Sequence, residues 1–476
     1  MTAPGESMTG AALSRSRAAA GPSVQAGRPA GRRLLIWGAV AFAVSVAVYV
    51  IGWAAGWVAV TPSTVDLQVY VDGGLIVRHV APLYDAHLAS PLYDWSNLEG
   101  LQFTYTPFAA VVFAVVSLIP VPALTPLSVA VSVAALAGSL GLVLHALGYR
   151  GRACAGATLL ASAALFWLEP VQRTIFLGQV NLVLMLAILA DLGLPDKVAG
   201  RWWKGAGIGI AAGIKLVPLV FIPYLLLTRR FREAAVAAGV FCATIGLGFA
   251  VIPRDSGQWW LHGLFLQGSR VGFPGVMQNQ SLHGIITRLA GSVAAGQPAW
   301  LVLAAVAGVA GIAAAALLHL AGHPVLGILT CALTGLLISP ISWDHHWVWI
   351  APGLVAIGHY AWRAWRAGQR RAACALAGLA AATLVLFAAR PEGVWMPGTA
   401  GIELTGLIWA VPTTQETQFF QLGDRPWFAE YHYQGLQFIG GNLFVLAGIG
   451  LFVLLIVTAI RLARQQFSLL ATIDSQ

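Results

Sequence analysis

The sequence predicts an all-α polytopic membrane protein with about ten to twelve transmembrane helices. Three observations carry that expectation. Apolar residues make up 58% of the 476-residue chain and charged residues 9%, against roughly a quarter charged in soluble domains. Stretches of about 20 apolar residues, enough to cross hydrocarbon, recur from one end to the other. Basic residues gather at the ends of those stretches, as the positive-inside rule requires. The net charge of +9 therefore reports membrane topology and is no nucleic-acid signature.

Residues 1–33, rich in Ala, Gly, Ser, Pro and Arg without a hydrophobic period, read as a disordered cytoplasmic tail. Segment 34–58 is the first membrane anchor. It is too long for a signal-peptide core and has no small-residue cleavage site close behind it. Further apolar segments lie at 107–119, 124–147, 152–168, 178–194, 204–228, 232–252, 299–320, 323–340, 346–362, 371–389 and 440–463.

Taken as crossings throughout, these segments put the Arg150/Arg152 turn and the basic turn 197–204 outside, against the rule. Two changes remove the conflict. Segment 107–119 is short, bounded by Pro107, Pro120 and Pro122, and dips without crossing. Segment 204–228 contains Lys215, Pro218 and Pro223 and is a broken pair of short helices returning to one side. A broken helix in a bilayer needs protein or a water-filled cavity to satisfy its freed backbone groups. A polar cavity is therefore expected near Lys215.

The outer side then receives 59–106 as a first loop, 169–178, 253–298, 341–345 and 390–440. Residues 464–476 form a cytoplasmic tail, so both termini are cytoplasmic. Trp259, Trp260, Trp395 and Trp427 read as interfacial anchors. The cysteines Cys154, Cys242, Cys331 and Cys374 lie in apolar stretches with no paired spacing and read as small core hydrophobes.

Several polar groups stand out against this background. Asp66, in VDLQVY just after the first anchor, suits a proton relay, an ion site or a general base. It equally suits an exposed loop acid or a helix cap. Asp72 shares a helical face with Gln68 and reads as a solvated acid. In SPISWDHHW, Asp344, His345 and His346 open a helix after Pro340. Neutral imidazole there suits a metal and protonated imidazole a phosphate, while Asp344 suits an N-cap. Adjacent helical residues point about 100° apart, so one histidine at most faces a given site.

Gln179 and Asn181 in LGQVN suit sugar hydroxyls or neighbouring helix ends. Glu169 and Arg173 are spaced to pair with each other. Lys215, in GIKLVP, lies deep in an apolar run and needs an anion, either a phosphate or a distant carboxylate. Tyr105, in FTYTPF, precedes a Thr-Pro turn, and Asn279 and His283, in QNQSLHG, are unassigned hydrogen bonders. No GxxxxGKS loop, GxSxG elbow or HExxH appears, so ATP-driven and hydrolase readings lose most of their support.

In this order and at this membrane spacing, VDLQVY, YTPF, LGQVN, GIKLVP, NQSLHG and SPISWDHHW resemble the family 87 glycosyltransferases, from about residue 34 to residue 359. These are actinobacterial mannosyltransferases of the GT-C fold that use polyprenyl-phosphate-mannose. The resemblance is nearest to enzymes adding α-1,2-linked mannose to phosphatidylinositol mannosides or lipomannan.

It implies that 34–463 is a GT-C transmembrane catalytic domain of the plasma membrane with an extracytoplasmic site. Asp66 matches the family's catalytic acid position and would be the base. His345 or His346, with Lys215, would meet the leaving phosphate, and Gln179 and Asn181 would hold sugar or phosphate. Tyr105, Asn279 and His283 would complete the substrate site. No acid cluster with metal-ligand spacing appears, so no divalent metal and no cofactor is expected.

Two rivals remain. A transporter or lipid flippase predicts symmetric halves and acids in mid-helix, where Asp191 is one of very few. A sibling enzyme using another polyprenyl-phosphate sugar, such as arabinose, differs only in pocket detail.

Overall fold

The computed structural model describes residues 28–57, 60–84, 102–194, 201–396, 399–410 and 433–474. Most of the expected N-terminal tail, residues 59 and 85–101 of the first outer loop, residues 195–200 with part of the basic turn, the centre of the 390–440 stretch with Trp427, and the last two residues lie outside that set.

Six helices are long and apolar enough to cross a bilayer: Pro29–Ala54, Val121–Ala146, Phe231–Val251, Val293–Leu320, Arg370–Phe387 and Leu443–Gln466. Glu169–Leu177 and Asn181–Gly193 together make a seventh, bent by 116° at the break between them. Among the described residues, length and apolarity thus give six or seven spans where about ten to twelve were expected. The difference lies in segments that proline and glycine cut into shorter helices, such as Pro107–Val116, Val217–Leu227 and Pro324–Ile338.

Segment 107–119 illustrates the cut. Thr106 accepts a hydrogen bond from the Ala109 amide and Pro107 occupies the first helical position, so the helix starts there. It runs ten residues, about 15 Å at 1.5 Å per residue, or half the hydrocarbon thickness of roughly 30 Å.

The break foreseen in 204–228 is present. Helix Ala206–Ile214 stops at Lys215, whose backbone is extended (φ −133°, ψ 129°), and a 3-10 turn Val217–Val220 leads into helix Phe221–Leu227. The start of the first of these helices is held from outside. Asp191 accepts from the backbone amides of Gly205 at 2.6 Å and Ile208 at 3.1 Å. Gly205 has φ +106°, and a Cβ there would collide with the Glu233 carbonyl oxygen, so no other residue fits.

Apolar side chains point outward along the long helices, with Val302, Val306 and Val309 exposed on Val293–Leu320 while Ala314, Ala315 and Leu318 are buried. Polar residues are instead enclosed, among them Asp344, Glu169, Arg173, Gln179 and Asn181. That inversion is what an apolar solvent imposes on a chain with a polar interior site.

One feature departs from an all-α chain: Arg390–Met396 pairs antiparallel with Thr399–Thr405 as a two-stranded hairpin. The Trp259 anchor is also revised. Its ring is buried and stacks on Tyr84 at 5.1 Å, within an apolar cluster. Asp72 is likewise buried where a solvated acid was expected, because its helix, Val65–Arg78, packs against Pro107–Val116.

Candidate functional site

The bend between Glu169–Leu177 and Asn181–Gly193 builds one wall of the site. Gly178 ends the first helix with φ +70°, and a Cβ there would lie 2.6 Å from Leu67 Cβ. Glycine alone allows this close approach of the Asp66 helix. The bend presents Gln179 and Asn181 side by side, two residues apart, towards Lys215.

Gln179 is the hub. Its Nε2 donates to Asp66 Oδ2 at 2.6 Å, and its Oε1 accepts from Tyr70 at 2.7 Å, Tyr105 at 3.2 Å and Lys215 at 3.3 Å. The two tyrosine hydroxyls also lie 2.9 Å apart. An amide oxygen bonded to its tyrosines leaves the nitrogen to face the carboxylate, so the side chain's orientation follows from its partners. Asp66 is half-buried, and its other oxygen has no hydrogen-bond partner among the described residues.

Lys215 sits at the helix break with three neutral acceptors around its Nζ: Asn181 Oδ1 at 2.9 Å, His346 Nε2 at 3.2 Å and Gln179 Oε1. Three N–H donors thus meet three acceptors, and the Tyr105 ring lies 5.4 Å away. Among the described residues no carboxylate reaches salt-bridge distance of Lys215, so its charge is held by dipoles and stays available to an anion. An ammonium can only donate, so His346 Nε2 accepts from Lys215, and an imidazole accepting there carries its proton on Nδ1.

The paired histidines separate cleanly. His346 lines the site, whereas the His345 ring turns back, its Nδ1 3.1 Å from Asp344 Oδ1 and its Nε2 enclosed. The backbone carbonyl of His345 is the part that reaches the site wall, accepting from Thr174 at 3.0 Å and Asn181 at 3.0 Å. Asp344 also accepts from the His345 amide at 2.7 Å and from Trp409 at 3.2 Å, and lies 3.7 Å from Arg173. Arg173 thus lies against Asp344, and Glu169, the partner its spacing suggests, is enclosed beside both.

Asn279 and His283 stand apart from this group. Asn279 bonds the carbonyls of Pro274 at 2.9 Å and Pro340 at 3.2 Å and accepts from the Ser342 amide at 2.9 Å. His283 meets the Pro340 carbonyl at 3.1 Å and stacks on Trp300. Both brace the 340–343 turn behind the histidines. Sequence spacing gave no sign of Tyr70 in the network, although it lies one helical turn after Asp66.

Behind Lys215 opens a pocket with about 500 Å³ of empty space, solvent at its mouth included. Lys215, Asn181, His346 and Ser342 form its polar end, and Leu184, Ile188, Leu336 and Trp349 are among its apolar walls. A cation above an oily slot suits an amphiphile with an anionic head. Asp191, the mid-helix acid that transport chemistry would use, is spent on the helix start described above.

Glycosyltransferase family 87 matches residues 103–340, half of the chain. A protein of Mycobacterium tuberculosis named polyprenol-phosphate-mannose-dependent alpha-(1-2)-phosphatidylinositol pentamannoside mannosyltransferase is 37% identical over 318 residues, 66% of this chain and 71% of its own. A second from that organism, named polyprenol-phosphate-mannose-dependent alpha-(1-2)-phosphatidylinositol mannoside mannosyltransferase, is 31% identical over 68% of this chain and 76% of its own. A pentamannoside mannosyltransferase of Mycolicibacterium smegmatis is 35% identical over 62% and 69%. No solved structure matches.

Proposed function

Since this chain belongs to glycosyltransferase family 87, we propose that it moves mannose from polyprenyl-phosphate-mannose onto a phosphatidylinositol mannoside or related glycolipid, forming an α-1,2 linkage at the outer face of the membrane. The observation that carries this reading is the unbroken run Asp66–Gln179–Lys215–His346 at the head of an apolar pocket.

The chemistry assigned to these residues is one inverting displacement. The acceptor hydroxyl oxygen attacks C1 of the β-linked mannose as the C1–O bond to phosphate breaks, and polyprenyl phosphate leaves with the electron pair. Asp66 takes the hydroxyl proton, a role open to a carboxylate with one unbonded oxygen. Lys215 meets the growing charge on the phosphate, with His346 beside it. The polyprenyl chain lies along Leu184, Ile188, Leu336 and Trp349. No step calls for a metal.

Sidedness is part of the proposal. The site stands at the start of the Ile350–Arg366 helix, and Arg363, Arg366, Arg370 and Arg371 cluster at and just beyond its far end. Under the positive-inside rule the arginine end is cytoplasmic, which supports the reading of an extracytoplasmic site.

The test is reconstitution. Purified protein in lipid, given polyprenyl-phosphate-mannose labelled in the sugar and a phosphatidylinositol mannoside, should yield a glycolipid one hexose heavier with a 1,2 linkage. Release of free mannose alone, or label moved across the membrane unchanged, would discard the assignment.

A further inference from the structure

We infer that Asp344 is a positioning residue for the phosphate end of the site, holding the His345–His346 turn so that His346 meets Lys215, with Trp409 completing its grip. The inference rests on the mannosyl-transfer reading above and adds residues to it that touch no substrate.

Asp344 is almost wholly enclosed, 1% exposed. Its Oδ1 takes the His345 amide and Nδ1, fixing both the backbone and the ring of the next residue. Its Oδ2 takes the Trp409 indole N–H and faces the Arg173 guanidinium. The Asp344 amide itself donates to the Gln278 carbonyl at 2.9 Å, so the residue is pinned at both ends.

What it pins is the wall of the site. The His345 carbonyl receives Thr174 and Asn181, and Asn181 in turn receives Lys215. One residue further on, His346 receives Lys215 directly. A shift of the 344–346 turn would therefore move two of the three acceptors around the ammonium. Burying an ion pair is weak support for stability, since desolvation offsets most of the attraction. Orientation of a ligating group by a second layer of hydrogen bonds is a better-attested use.

The outer side has a share in this grip. Trp409 belongs to the 3-10 turn Leu407–Ala410 that follows the hairpin, and its ring also lies 5.1 Å from the Arg173 guanidinium, with the Phe176 ring 5.4 Å from the same group. The indole thus covers the ion pair and donates to it. Carboxylate, guanidinium and indole come from three separate stretches of chain.

A double-mutant cycle on the full-length reconstituted protein decides the matter. Asp344→Asn should lower kcat/KM for the mannosyl donor about 10- to 100-fold, and Trp409→Phe, which keeps the ring, about 3- to 10-fold. In a His346→Gln background either change should cost at least about 3-fold less than in the native one, because one of the two positioned acceptors is gone while Asn181 remains. Losses that multiply unchanged in both backgrounds, in molecules with a normal unfolding midpoint, would assign Asp344 to bulk structure.

If Asp344→Asn fails to fold, the Trp409→Phe arm retains the ion pair and still reads the coupling. Full activity of His346→Gln would overturn the inference while leaving mannosyl transfer intact. Absence of transfer by the unaltered protein would instead remove the reading beneath it.

Discussion

Lys215 and Asp66 are joined through a single side chain: Gln179 accepts from the ammonium at 3.3 Å and donates to the carboxylate at 2.6 Å. The two charges therefore polarise one amide from opposite ends without neutralising each other in a direct pair. A proton acceptor and an anion holder are kept distinct and a fixed distance apart, which is what a displacement between a hydroxyl and a phosphate needs.

From this follows the first prediction. Asp66→Asn should reduce mannosyl transfer about 10²- to 10⁴-fold, the range for loss of a general base. Folding should be little changed, because Asn still accepts from Gln179 and the residue is only half-buried. Initial rates with labelled donor, beside thermal unfolding of the same preparation, check both parts; near-normal turnover would take the base role from Asp66.

Lys215→Met should behave differently. It removes the charge and leaves Gln179, Asn181 and His346 each short of a donor. A rate loss of about 10²-fold or more is expected from the missing phosphate partner. A stability loss of about 1–3 kcal/mol should accompany it, the usual effect of orphaned buried acceptors. Unfolding curves and rates measured together would expose a purely structural lysine, which would show the second effect without the first.

The pocket walls give a prediction about chain length. Ile188→Trp or Leu336→Trp fills the apolar part of the pocket without touching Lys215 or His346. The KM for a long polyprenyl donor should rise about 10-fold, since lost apolar contact is worth about 0.8 kcal/mol per CH₂. A donor with a short prenyl chain should be nearly unaffected. Equal effects on both donors would move the lipid elsewhere.

Some of this arrangement is legible in the residues and some is not. Membrane class, the break at Lys215 and the noncrossing length of 107–119 follow from proline spacing and charge placement, which act locally. The meeting of Asp66, Gln179 and Lys215 follows only from the order of the family's motifs, since the residues are far apart in sequence. Tyr70 and Trp409 escape notice because a tyrosine or tryptophan in an apolar stretch reads as packing until its polar atom is seen to have a partner. Asn279 and His283 mislead in the opposite direction: their polarity serves the Pro340 turn, a backbone need that no side-chain pattern announces.

Asp191 supplies the contrasting case, a buried acid whose work is structural. Its carboxylate takes the amides of Gly205 and Ile208, the orphan donors at the start of helix Ala206–Ile214. Asp191→Ala should therefore lower stability by about 1–3 kcal/mol, as loss of a buried cap does. The rate per folded molecule should stay within about 3-fold of normal, because the helix still ends at Lys215 and its packing against Phe231–Val251 is untouched. Asp191→Asn should fall between, since its amide oxygen retains one acceptor where the carboxylate had two. Measuring unfolding midpoint and rate in the same vesicles distinguishes this from an ion-coupling acid, for which either substitution would abolish function in a molecule of ordinary stability.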